Sequence, residues 1–180
     1  MGTPQLTADQ VAQVSGVVAE YISSQRQTFF PHSAAPSAEQ RAAMEGFFSP
    51  HLLDTVRLLM LNVNRVQNPP FYPILARMGF ANLPDFSQMA AITFRDVVVS
   101  HGRFTNGLLF HELVHVEQYR QLGVPRFAEF YVRGFLSGGG YNGIPLEVNA
   151  YTLGARFEAD PHQRFSVSKE VESWARQGRF

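Results

Sequence analysis

The chain contains no cysteine. That absence excludes a disulfide framework and a thiolate metal site, so any metal would have to be held by histidine and carboxylate. Charge is scarce as well: charged residues make up 17% of the 180, and 15 basic residues balance 15 acidic ones. A formal net charge of zero argues against nucleic acid or an anionic membrane surface as the main partner. No run reaches the roughly 18 apolar residues needed to span a bilayer. The opening MGTPQLTADQ also lacks the basic start and compact apolar stretch of a signal peptide. A soluble protein, cytoplasmic by default, is the expectation, with leaderless secretion or a trimmed leader as the alternatives. Tryptophan is nearly missing too: one residue against 16 phenylalanines. A core that leans on phenylalanine packing follows.

What is present reads as one domain over residues 1–180, with 45% hydrophobic residues and no internal repeat. The expected fold class is α+β and mostly helical. After Thr7, Val11, Val14, Val17, Val18, Tyr21 and Ile22 recur at helical spacing. Ser37 with Gln40 forms a capping-box pattern that opens a helix through Phe47, and Ser49-Pro50 ends it. TVRLLMLNV is compatible with a buried strand or a helix, because periodicity alone does not separate the two. Prolines 69, 70 and 73 lead into a turn and a short helix to Gly79, and NLPDFSQ reads as loop. AITFRDVVVS gives a hairpin or one bent strand. A clear helix runs from Asn106 to Leu122 and closes at Gly123; another starts at Pro125. The glycines at 138–140 suit a connector or a hinge. Pro145 opens a further helix up to Asp160, and SKEVESWARQG forms the last. Residues 1–90 make a helical part of unclear role, and residues 91–158 carry the pattern that points to chemistry.

That pattern is FHELVHVEQY, residues 110–119. His111 and His115, four apart, lie on one helix face and can present ring nitrogens to a single ion. Glu112 sits beside them, where a carboxylate can take a proton from metal-bound water. Glu117 is turned away, about 200° round the helix from His115, and suits a solvated or salt-bridged position.

A catalytic zinc needs a third protein ligand, and no third histidine follows in VEQYRQLG. Glu147 is the best-placed donor, at the start of a helix that can return antiparallel to the first. The small Ala150, Gly154 and Ala155 would allow close approach, and Tyr151 shares the Glu147 face. Glu158 is about 16 Å further along the axis. Glu129 and His162 compete with Glu147. Asn149 would serve as a hydrogen-bond partner that orients a ligand. His32, His51 and His101 read as surface histidines, and Arg120, Arg126 and Arg133 as solvated helix positions.

HELVHVEQY with the downstream PLEVNAY resembles the gluzincin group of zinc metallopeptidases. AITFRDVVVS followed by LLFHELVHVEQY is similar to small bacterial HExxH domains that carry a short β segment before an HELxHVxQ helix. The likeness covers about residues 91–158. It implies a zincin-like fold, one zinc ion on His111, His115 and Glu147, and peptide-bond hydrolysis with Glu112 as general base. A peptide or protein would then be the substrate. It also implies that a strand before the motif, Val97 to Ser100, offers its edge to an extended peptide. A tyrosine or histidine would hold the developing oxyanion; Tyr151 or Tyr141 is preferred for closeness to Glu147, with Tyr119 and His162 as other candidates. The rival expectation is a zinc-binding effector, sensor or interaction domain of the same fold without proteolysis.

Overall fold

The computed structural model describes residues 5–180; residues 1–4, on which the leader argument partly rests, lie outside them. The protein is α+β and mostly helical. Helix α1 (Ala8–Phe29) opens on a reciprocal capping box between Thr7 and Gln10 and buries Val11, Val14 and Ile22. Helix α2 (Ala38–Met44) opens on the expected Ser37–Gln40 box but stops at Met44, short of Phe47. Ser49-Pro50 begins a helix rather than ending one. The Ser49 hydroxyl accepts from the Leu52 N–H, and Pro50 supplies the first turn of α3 (Pro50–Thr55), where a missing N–H costs nothing.

The ambiguous TVRLLMLNV contains strand β1 (Arg57–Met60). Two further strands, β2 (Ala91–Phe94) and β3 (Val97–Ser100), form the expected hairpin, and the sheet order is β1-β3-β2. Arg95 in the two-residue turn takes a left-handed φ of 63°. β1 runs parallel to β3 with Arg57 opposite Val97, and β2 runs antiparallel to it with Phe94 opposite Val97.

β3 is therefore the central strand. Val97, Val98, Val99 and Ser100 are fully buried and both edges are paired, so the expected strand-addition edge at Val97–Ser100 does not exist. A row of valines without polar alternation reflects cover on both faces. Val98 points into a core shared with Leu109 and Leu113, whereas Val97 and Val99 point to the Tyr21 and Phe29 side of α1.

Between β1 and β2 lie α4 (Tyr72–Arg77) and a single turn at Phe86–Gln88. His101 fastens both ends of this excursion. Its Nε2 accepts from the Val66 N–H at 2.9 Å, and its Nδ1 lies 2.7 Å from the Met89 carbonyl. The residue is buried, not a surface histidine.

Helix α5 (Asn106–Gly134) is capped by Thr105 and bends at Gly123, whose φ of 73° and ψ of 161° break the helix before Pro125. A π-helical turn (Phe135–Gly139) and a short turn at Tyr141–Gly143 lead into α6 (Pro145–Ala159), and α7 (Val167–Arg176) follows. α6 returns antiparallel to the first arm of α5: Phe110 stacks on Phe157 at 4.4 Å, and Gln118 reaches Leu146.

Ala150 and Gly154 are buried on α6, but a Cβ at Gly154 would meet nothing within 4 Å, and Ala155 is exposed. The close approaches are at Gly107, where a Cβ would run into Glu158, and at Gly134, where it would stand 2.6 Å from Pro145 Cδ. No helix among the described residues is long and apolar enough to cross a membrane.

Candidate metal centre

His111 and His115 project from the first arm of α5 and Glu147 from the first turn of α6. Nε2 of His115 lies 3.1 Å from Nε2 of His111. Glu147 Oε2 lies 3.5 Å from the His111 nitrogen and 3.3 Å from the His115 nitrogen. Among the described residues this is the group of donors able to hold a metal ion.

Four ligands at about 2.0–2.1 Å around a tetrahedral ion stand about 3.3–3.4 Å from one another. The three measured edges bracket that value. Glu147 Oε2 is buried yet has no hydrogen-bond partner. A buried carboxylate oxygen without a donor is costly, and an ion in the triangle would remove the cost. The residues fit a small divalent cation.

The electrostatics point the same way. Burial alone would raise the Glu147 carboxyl, but the charge of His115 and the His111 imidazole facing it hold it well below the usual carboxylate range. Burial would lower His115, yet the facing Glu147 carboxylate lifts it to about 9.

Glu112 is buried on the same side, and its Oε2 accepts a 2.7 Å hydrogen bond from the Thr93 hydroxyl on β2. It lines a cavity of about 120 Å³ together with His115, Glu147, Tyr119 and Tyr141. The far wall is apolar and comes from the first ninety residues: Val14 and Val18 of α1, and Phe71 and Leu75 around α4. The N-terminal part thus covers the centre.

The other expected residues separate clearly. Glu117 is turned away from the triangle and salt-bridged to Arg120 at 2.6 Å, but it is buried rather than solvated. Glu129 pairs with Arg133 at the surface. Glu158 lies at the opposite end of the helix pair beside Gly107. His162 is exposed and outside the group.

Tyr151 is 53% exposed and packs its ring 4.5 Å from His111, outside the cavity lining. Tyr141, unlike Tyr151, lines the cavity beside Glu147. Burial first, then the nearby Glu147 carboxylate, raises its hydroxyl far above the ordinary tyrosine range, so it stays a neutral donor. The Tyr119 hydroxyl is engaged with the Thr93 carbonyl at 3.4 Å.

Asn149 contacts no ligand directly. It accepts from Gln118, which in turn faces His115. Gln118 and Thr93 were missed in the sequence. Gln118 had a readable signal, a polar residue three positions after His115 and hence on the same face. Thr93 had none, since its partner lies on a different element.

Compared with protein-family models, with curated proteins and with solved structures, the chain gives no match.

Proposed function

We propose that the protein is a zinc-dependent peptidase of zincin-like architecture, with His111, His115 and Glu147 as the metal ligands and Glu112 as the general base. The observation that carries this reading is the triangle of donor atoms with 3.1, 3.3 and 3.5 Å edges, one corner of which is a buried carboxylate oxygen without a hydrogen-bond donor. Bound there, zinc supplies Lewis acidity, which brings the pKa of water toward about 7 and polarises a carbonyl.

The chain supplies the remaining functions. Glu112, steadied by Thr93, accepts a proton and passes it to a leaving amine, a role worth about 10²–10⁴-fold in rate. Tyr141 offers a neutral hydroxyl to an oxygen on which negative charge develops; Tyr151 is the alternative donor, reaching the centre from the solvent side through its contact with His111. The apolar wall from α1 and the 66–89 excursion lines one side of the centre, and the exposed Tyr151 flanks His111 on the other.

That cover supports the second reading, a zinc-binding effector, sensor or interaction domain without proteolysis. The lining of the cavity by α1 and the 66–89 excursion offers a mainly apolar surface, which suits a bound apolar group as well as a peptide side chain. The two readings part on a single comparison of zinc-loaded wild type with Glu112→Gln against a broad peptide library. Cleavage by the wild type, lost in a variant that keeps its zinc, supports the peptidase. A zinc-loaded wild type that cleaves nothing supports the second reading.

A further inference from the structure

Gln118 is completely buried between α5 and α6, at a place where an apolar residue would pack without needing partners. Its three hydrogen bonds have a fixed starting point. The amide nitrogen lies 2.9 Å from the backbone carbonyl of Leu146, a group that can only accept. The NH₂ end must therefore face Leu146, where it also donates to Asn149 Oδ1 at 2.9 Å. The carbonyl end is left facing His115 Nδ1, 2.9 Å away.

A carbonyl oxygen cannot donate, so Nδ1 must carry a hydrogen. Neutral imidazole has only one. Nε2 then keeps its lone pair, and Nε2 is the atom turned toward His111 and Glu147. The opposite tautomer would set a bare Nδ1 against the Gln118 oxygen at 2.9 Å and turn an N–H, not a lone pair, toward His111 and Glu147. The same amide also reads the position of α6. Leu146 and Asn149 stand on either side of Glu147 in sequence, so the bonds that turn the amide also hold Glu147 in register with His115.

We propose that Gln118 is the positioning residue of the centre, selecting the His115 tautomer that presents Nε2 and coupling it to the placement of Glu147. The proposal rests on the reading of His111, His115 and Glu147 as a metal centre. A residue that merely glued two helices together would change stability but neither the tautomer nor the zinc affinity of a folded variant.

The test is nitrogen NMR of histidine-labelled protein, metal-free and zinc-loaded, at a pH where the ring is neutral, with zinc affinity measured by competition with a chelator. In metal-free wild type the His115 proton should reside on Nδ1, and zinc should bind through Nε2. Gln118→Met, similar in length but without polar atoms, should populate both tautomers and bind zinc about 10–100-fold more weakly. Gln118→Glu, which keeps the oxygen toward His115 but cannot donate to Leu146 when ionised, should retain the Nδ1 proton and still lose affinity.

A proton on Nε2 of the neutral His115 ring in metal-free wild type overturns the proposal, as does wild-type affinity in folded Gln118→Met. Should Gln118→Met fail to fold, the wild-type spectrum decides alone. Zinc that binds nowhere in the wild type refutes the metal reading, whereas the metal-free tautomer still tests Gln118 separately.

Discussion

His101 shows how much one side chain can hold when its partners are backbone. Its two ring nitrogens engage Val66 and Met89, the two ends of the segment that covers the cavity. Val66 is buried, so His101→Ala leaves its N–H without a partner at a cost of about 1–3 kcal/mol. Urea unfolding should report that loss, and hydrogen exchange across residues 66–89 should rise more than in α5; unchanged protection there would refute the clasp. His111, Glu112 and His115 could be picked out in the sequence because their chemistry is tied to spacing along one helix, and Glu147 because a third ligand was needed and its helix could return antiparallel. His101 could not be assigned its role, because its anchors are a carbonyl and an N–H on distant segments, and every residue carries such groups.

Among the elements, α5 depends most on one glycine. Gly123 sits at φ 73° and ψ 161°, a region essentially reserved for glycine. Gly123→Ala should cost about 1–3 kcal/mol. The second arm of α5, which brings Phe127 and Tyr131 to the cavity, should swing, with a lowered melting temperature as the readout. A variant as stable as wild type would mean that the bend carries no strain for alanine. Gly134 works at the far end: a Cβ would meet Pro145 Cδ at 2.6 Å and Ile144 at 3.2 Å. Gly134→Ala should therefore push α6 outward, costing about 1–3 kcal/mol and weakening zinc binding together with stability.

Both helix boundaries at 123–125 could be read from the glycine–proline pair. The sheet order could not. Three short strands have no pattern that says which one is central, and β3, expected to offer an edge, is paired on both sides. The assignment of β1 waited on its pairing with β3, since an apolar run of that length serves a strand or a helix equally well.

Across the whole molecule, the N-terminal helix is tied to the sheet by a bidentate pair, Arg26 to Asp96, with both contacts at 2.8 Å. Burial alone would raise the Asp96 carboxyl, but Arg26 holds it below its ordinary value of 3.8. A carboxylate depressed in the folded state adds stability that is full above its unfolded pKa and fades as pH falls through the folded one. Stability should thus decline in acid from about pH 4 downward, and Asp96→Asn should flatten that part of the profile while lowering stability at neutral pH. An identical acid slope in the variant would remove the pair from the account.

The cover over the centre is also a whole-molecule property. α1, the 66–89 excursion and the second arm of α5 converge on one cavity, an arrangement that local sequence patterns do not encode.

The central claim is that His111, His115 and Glu147 together hold one metal ion. Elemental analysis and chelator competition on purified wild type and Glu147→Ala test it most directly. One zinc per chain is predicted for the wild type. For Glu147→Ala the predicted loss of affinity exceeds the 10–100-fold typical of a missing supporting hydrogen bond. A wild type that takes up no stoichiometric metal, or a Glu147→Ala chain that binds zinc as tightly as wild type, would contradict it.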